Sequence, residues 1–308
     1  MTIFRGIQSL IGHTPLFQIT NIQIPNEVNI YAKLEYFNPG GSIKDRLGQE
    51  LIRDAIENKH ITPNGTLIEP TAGNTGIGLA LAAVGTNVSV VFVVPEKFSQ
   101  EKQTLMRSLG ATVVNTPTED GMVGAINKTK DLLKKIPDSY SPAQFENKAN
   151  PDTYYKTLGP EIMKELDGNI DVFVAGAGTG GTFMGTAKYL KEQNEHIKTA
   201  IVEPEGSILN GGEAGPHRTE GIGMEFLPPY MNSSYFDAIH TISDEEAFHF
   251  VHELTTKEGL LVGSSSGAAF AAALREAKVA KQGTNIVTVF PDSSERYLST
   301  GIYGGKES

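Results

Sequence analysis

The chain has 308 residues, 39% of them hydrophobic, and a formal net charge of -10 from 36 acidic against 26 basic residues. That length suits one large or two moderate globular domains, and an acidic balance without a long basic run argues against nucleic acid or an anionic membrane as partner. With no cysteine, a disulfide framework, an iron–sulfur cluster, a thiolate zinc site and a cysteine nucleophile are all excluded. The opening MTIFRGIQSLIGHTPL lacks a basic segment followed by a sustained apolar stretch. No window reaches about 18 uninterrupted apolar residues, so a soluble, cytoplasmic protein without an export signal is expected.

From residue 29 onward, β-rich runs alternate with segments of helical period. NIYAKLE is followed by KDRLGQELIRDAI, TLIEP by TGIGLALAAV, SVVFVV by SQEKQTLMRSLG, and ATVVNT by GMVGAINKTKDLLKKI. The second half reads PDTYYKTLGPEIMKEL, DVFVAGA, TFMGTAKYLKEQN, KTAIVEP, DAIHTIS, DEEAFHFVHEL, GAAFAAALREAKVA and NIVTVF. This alternation predicts an α/β architecture of mostly parallel, helix-covered sheets. The polar, proline-flanked stretch SPAQFENKANP (141–151) is the expected domain boundary. Residues 205–235 are too rich in glycine, proline and polar residues for regular structure, and a long ordered loop of this kind is expected to line a site.

Four stretches carry candidate chemistry. NPGGSIKDR (38–46) enters a helix whose apolar face is Leu47, Leu51, Ile52, Ala55 and Ile56. Ser42 and Asp45 have the spacing of a capping box, which puts Lys44 in the first helical turn. There the helix dipole opposes an ammonium and partial burial disfavours it further, giving a neutral amine able to form a Schiff base; a solvated surface lysine is the plain alternative. In EPTAGNTGIG (69–78), backbone N–H groups from Ala72 to Gly76 can cradle a carboxylate, with Thr71, Asn74 and Thr75 adding side-chain hydrogen bonds. An Asn N-cap on a tight strand-to-helix turn explains the same residues without a ligand.

In DVFVAGAGTGGTFMG (171–185), Gly176, Gly178 and Gly181 satisfy the G-x-G-x-x-G spacing, and Glu203 follows where a ribose-binding acid belongs. Taken alone this reads as a dinucleotide site, but it comes after a whole half-chain of α/β units. The segment GTGGT (178–182), with successive N–H groups and two threonine hydroxyls, suits a terminal phosphate monoester better than a bridging pyrophosphate. Finally, Gly263, Ser265 and Gly267 match the nucleophile-elbow pattern, yet all seven histidines precede Ser265, the wrong order for an α/β-hydrolase triad. Ser265 is left as a hydrogen-bonding residue at a strand-to-helix turn. His249 and His252 lack a third ligand, and no metal is expected.

These parts, in this order, resemble the cysteine synthase and cystathionine β-synthase family, the fold-type II pyridoxal 5'-phosphate (PLP) enzymes. The resemblance runs from IGHTPL (11–16) to PDSSERYLST (291–300) and rests on NPGGSIKDR, PTAGNTG, GTGGT and GSSSGAA. It implies two domains, each a mostly parallel twisted sheet covered by helices, with PLP in the cleft between them. The first, residues 1–146, is implied to be smaller and mobile, with part of its first ~35 residues free to pack on the other domain. The second, 147–308, is implied to be larger and to bind the PLP phosphate.

The resemblance also implies residue roles. Lys44 is the Schiff-base lysine and the acid and base at the substrate's α-carbon. Gly178, Thr179, Gly180, Gly181 and Thr182 hold the phosphate, Asn74 contacts the ring's 3'-oxygen, and Ser265 faces the pyridine nitrogen. Thr71, Ala72, Asn74, Thr75 and Gln144 hold the substrate carboxylate. Ala72 stands where many cysteine synthases have serine, so one substrate hydrogen bond is absent. A neutral serine at the pyridine nitrogen gives a muted electron sink, suited to β-elimination over transamination. The implied reaction is β-replacement on O-acetylserine (or serine) through an aminoacrylate, by a homodimer. GGSIKDR, PEKFSQEKQ (95–103) and EPEGSILNGG (203–212) resemble the cystathionine β-synthase branch. Homocysteine is therefore the expected nucleophile, with sulfide, and hence cysteine synthesis, the alternative. Glu213, His217, Arg218 and Glu220 are expected to form its polar entrance, a solvated surface loop being the plain alternative.

Overall fold

The structure, a computed structural model, describes residues 3–303; residues 1, 2 and 304–308, the outer ends of the two expected domains, lie outside the described residues. In chain order the elements are β1 (Leu16–Gln18), β2 (Asn29–Leu34), α1 (Lys44–Glu57), β3 (Thr66–Pro70), α2 (Asn74–Ala83), β4 (Ser89–Pro95), α3 (Gln100–Ser108), β5 (Thr112–Thr116), α4 (Gly121–Lys135) and β6 (Ser139–Tyr140). They continue with α5 (Ala149–Lys156), α6 (Leu158–Glu165), β7 (Val172–Gly176), α7 (Gly181–Gln193), β8 (Lys198–Pro204), β9 (Ala238–Ile242), α8 (Asp244–Glu253), α9 (Ser264–Val279) and β10 (Asn285–Phe290). The segment PDTYYKTLGPEIMKEL, expected as one helical stretch, is two helices, because Thr157 leaves helical geometry at φ -122 and ψ -69.

The chain divides into two units. The first comprises the residues up to Ile11 together with Asn38–Ala149, and its four-stranded sheet has the order β5-β4-β3-β6, all parallel. Strand β4 is buried from Val90 to Pro95, as a parallel strand covered on both faces must be. On one face Ile68, Val91 and Val93 pack with Ala125 of α4. Successive strand residues face opposite ways, so Glu69 lies on the other face from Ile68.

The second unit comprises Gly12–Phe37 and the chain from Asn150 onward. Its six strands run β1-β2-β10-β7-β8-β9, parallel except for the antiparallel β1–β2 pair. The early strand β2 is therefore built into the sheet of the later residues. Ile30, Ala32, Val174, Ala200, Val202 and Phe290 form its core with α9, whose small residues Ala268 and Ala271 to Ala273 let the helix lie close on the sheet.

Within the first unit, α1 and α2 touch backbone to backbone. A Cβ added at Gly48 would lie 2.3 Å from the carbonyl carbon and oxygen of Gly78, and one added at Gly78 would lie 2.3 Å from the Lys44 carbonyl oxygen. No side chain fits there. Leu47 and Leu51, both fully buried, anchor α1 beside this crossing, each contributing roughly 1.5–3 kcal/mol of apolar burial. Helix propensity alone favours Gly78→Ala by about 1 kcal/mol. Because the methyl would meet rigid backbone, the variant is expected instead to lose about 1–3 kcal/mol in chemical denaturation. A variant as stable as the parent would contradict the close crossing.

Candidate active site

Lys44 is the first residue of α1 and is half-buried. The expected capping box takes another form. Ser42 Oγ accepts from Lys44 N at 3.2 Å, while Asp45, fully buried, turns back to accept from Gly40 N at 2.5 Å. Asp45 therefore holds the glycine turn before the helix and does not return to Ser42 N. The crossing at Gly78 brings the Lys44 backbone against α2, whose N-terminal turn contains the second predicted site.

That turn runs from Thr71 to Thr75. The N-cap of α2 is Gly73, which has no side chain to satisfy the first N–H groups of the helix. Thr71 and Thr75 are buried, while Ala72 and Asn74 are half-buried. Thr75 donates its hydroxyl to Gln144 Oε1 at 2.8 Å, so two of the predicted carboxylate-binding residues, 69 positions apart, meet directly. Helix N–H groups, the Thr71 hydroxyl and the Gln144 amide, whose oxygen is held by Thr75, form a donor set suited to a carboxylate.

Beneath the turn lies a residue that the sequence reading passed over. Glu69, at 2% exposure, accepts from Ser141 Oγ (3.1 Å), Ala143 N (3.1 Å) and Gln144 N (3.2 Å). Burial pushes its carboxyl up to about 7, against the downward pull of those three hydrogen bonds. In sequence it is one polar letter in the strand TLIEP, with nothing to mark its partners.

In the second unit, Gly178–Thr182 leads from β7 into α7. Gly180 sits in the left-handed region at φ +81 and is the N-cap of α7, so the N-cap itself offers no side chain, and Gly181 N turns to Thr179 Oγ1 at 3.4 Å. Two further residues brace this loop. Asn150, fully buried, donates Nδ2 to Thr179 Oγ1 at 3.0 Å and to Tyr230 Oη at 3.2 Å, and Tyr230 donates to the Thr179 carbonyl oxygen at 2.9 Å. Burial raises the Tyr230 phenol, keeping it a donor. A Cβ at Gly181 would lie 1.9 Å from Asn150 Oδ1, so the loop is drawn tightly onto its brace. Helix N–H groups with threonine hydroxyls make a cradle that fits a phosphate monoester. Ser265, at 4% exposure, lies in the first turn of α9, and its neutral hydroxyl fits an unprotonated ring nitrogen. Its neighbour Ser264 accepts from Glu220 N at 3.0 Å, tying the long loop to α9.

Glu203, the acid that a dinucleotide site would need, is fully engaged elsewhere. It is 1% exposed and accepts from Leu209 N (2.8 Å), Asn210 N (3.0 Å) and Thr241 Oγ1 (2.9 Å). It anchors the start of the long loop. Asp244 holds the middle, accepting from Arg218 N (2.6 Å), Thr219 N (2.8 Å) and Thr219 Oγ1 (2.6 Å). Burial alone would raise the Asp244 carboxyl, but those bonds and nearby His217 outweigh it and hold it below the usual carboxylate range. The Arg218 guanidinium lies over the Phe248 ring at 4.7 Å, His217 is half-buried with Nδ1 2.9 Å from the Thr219 carbonyl oxygen, and Glu213 is exposed. Among the described residues, no group of three or more His, Asp or Glu is placed to hold a metal ion, and no helix is long and apolar enough to cross a membrane.

Comparison with known proteins gives a consistent picture. Residues 7–292 match the family described as pyridoxal-phosphate dependent enzyme. The chain is 61% identical over 305 residues to the O-acetylserine dependent cystathionine β-synthase of Bacillus subtilis, covering 99% of each. It is 58% identical over 305 residues to a cysteine synthase of Helicobacter pylori, covering 98% of this chain and 100% of the relative. The crystal structure of an O-acetylserine dependent cystathionine β-synthase from Helicobacter pylori superposes with a TM-score of 0.93 at 57% identity, over 99% of this chain and 100% of that one.

The anchoring of the long loop has its own test. Glu203→Gln replaces one acceptor oxygen by an amide that faces N–H donors, and is expected to cost about 1–3 kcal/mol in urea denaturation. An unchanged midpoint would show that Glu203 does not hold the 209–210 turn.

Proposed function

The chain belongs to the pyridoxal-phosphate dependent enzyme family, and on that premise we propose that it makes cystathionine from O-acetylserine and homocysteine. It is a PLP-dependent enzyme of the cystathionine β-synthase and cysteine synthase group. The observation that carries the finer reading is 61% identity, end to end, with an O-acetylserine dependent cystathionine β-synthase. Relatives with the two names stand at nearly equal identity, so sulfide-dependent cysteine synthesis is the second reading.

The residue roles proposed here rest on the donor chemistry described above. Lys44 holds PLP through its amine and moves the proton at the substrate's α-carbon. Residues 178–182 hold the phosphate, with Asn150 and Tyr230 fixing the Thr179 hydroxyl and carbonyl so that the loop does not have to be ordered on binding. Asn74 contacts the 3'-oxygen, and Ser265 faces the ring nitrogen as a neutral partner. Thr71, Ala72, Asn74 and Thr75, with Gln144, bind and orient the substrate carboxylate, which places the α-carbon for proton removal. When bound, PLP supplies the electron withdrawal that lets the acetate leave the β-carbon and a sulfur nucleophile take its place.

Homocysteine, unlike sulfide, brings an ammonium and a carboxylate of its own, and it requires a polar, ordered approach. The 205–223 loop supports this reading: it carries Glu213, His217, Arg218 and Glu220, and it is pinned by Glu203, Asp244 and Ser264. We further propose a cytoplasmic homodimer, as the family resemblance suggests; light scattering would test the dimer by giving twice the mass of the 33.1 kDa chain.

With O-acetylserine fixed, kcat/KM measured side by side is expected to be higher for homocysteine than for sulfide. A clear preference for sulfide would replace this reading with cysteine synthase.

A further inference from the structure

Glu69 is a nearly fully buried carboxylate that takes no part in the chemistry outlined above, and its hydrogen bonds all converge on one short turn. Resting on the reading that Gln144 and the Thr71–Thr75 turn hold the substrate carboxylate, we propose that Glu69 is a positioning residue whose ionised form sets Gln144 for substrate binding.

The geometry supports this in two steps. Ala143 is held in the left-handed region at φ +49, which a non-glycine residue adopts only when its surroundings impose it. Its N–H and that of Gln144 both point to Glu69, on Oε2 and Oε1 respectively, and Ser141 Oγ also donates to Oε2. Beyond the turn, the Ala143 carbonyl oxygen accepts from Glu146 N (2.8 Å) and Asn147 N (3.0 Å). The Gln144 side chain then meets Thr75 Oγ1 at 2.8 Å. Glu69 also directly precedes Pro70 and Thr71, so one strand end carries the cradle and the carboxylate that orders its partner.

The charge state matters because the two backbone N–H donors need acceptor lone pairs. Protonation at Oε1 opposes the Gln144 N–H with a hydrogen, while protonation at Oε2 turns Ser141 Oγ into an acceptor and leaves Ala143 N a weaker partner. Burial pushes Glu69 up to about 7, so the change falls near neutrality. The surroundings are otherwise quiet. Phe92 of β4 stands in register with Glu69, α2 carries no charged residue, and α4 packs on the opposite face against Ile68. Burial first, then Asp54 of α1 and Glu69, raise the Tyr140 phenol of β6, and His60 stacks on Tyr140 with ring centroids 4.3 Å apart.

Two pH trends of opposite direction follow. The folded value lies above the unfolded value of 4.5, so this group's stabilisation is present below that value and is lost as pH rises toward about 7. Substrate binding improves over the same rise, because the ionised form holds the turn. A purely structural carboxyl would show the first trend without the second.

The test measures KM for O-acetylserine across neutral pH, together with thermal stability, in the PLP-loaded enzyme and in Glu69→Gln, Gln144→Ala and His60→Gln. Ionisation of the substrate is common to all four, so differences between profiles report the protein. In the parent, KM is expected to rise as pH falls below about 7. Glu69→Gln should raise KM about tenfold above pH 7 with kcat nearly unchanged, and should flatten the profile. His60→Gln should keep the parent profile; if it flattens instead, the titrating group is His60 and the inference fails. If Glu69→Gln does not fold, a parent profile no steeper than that of Gln144→Ala overturns the inference. If Gln144→Ala leaves KM unchanged, the carboxylate reading itself is wrong. If Gln144→Ala raises KM and Glu69→Gln does not, that reading stands and the role of Glu69 is refuted.

Discussion

The backbone contact between Gly48 and Gly78 is the constraint on which the candidate site in the first unit depends. It brings α1 so close to α2 that the carbonyl of Lys44 occupies the space a side chain on Gly78 would need. The lysine at the start of one helix is therefore placed by the middle of another, whose own start forms the Thr71–Thr75 turn. Two further backbone devices act on this frame. Asp45 fixes the glycine turn before α1 through Gly40 N, and Glu69 fixes the turn that carries Gln144. Each is a buried carboxylate accepting from backbone N–H, an arrangement that rigidifies a turn because an unsatisfied alternative is costly in the interior.

The second unit solves a similar problem with neutral groups. Its phosphate-type cradle follows a parallel strand, where helix N–H groups emerge at the carboxyl edge of the sheet. Its loop is held by Asn150 and Tyr230, which place no negative charge where an anion would bind. Three acids of this unit have other partners: Glu203 and Asp244 fasten the long loop, and Glu276 receives Lys198 and His240 at 2.6 and 2.7 Å.

Much of this was legible in the sequence because the informative interactions are local. A strand, a glycine turn and a helix start lie within about ten residues, and the alternation of such units predicts an α/β fold of parallel sheets. The glycines at 178, 180 and 181 and the lysine after GGSI could be read for the same reason. What escaped was set by contacts between distant positions. Glu69 meets residues more than seventy positions away, and Tyr230 meets Thr179 across 51. Strands β1 and β6, of three and two residues, are too short to show a period. The spacing of Ser42 and Asp45 predicts a capping box, because spacing shows which partner is near in sequence but not which one the backbone turns toward the carboxylate; here that partner is Gly40 N.

The account turns on Lys44 as the residue that carries the cofactor. Borohydride reduction of the PLP-loaded protein, followed by proteolysis and mass mapping of pyridoxyl-labelled peptides, tests it most directly. The label is expected on Lys44 alone; a label on another lysine, or none on protein that retains PLP, would contradict it.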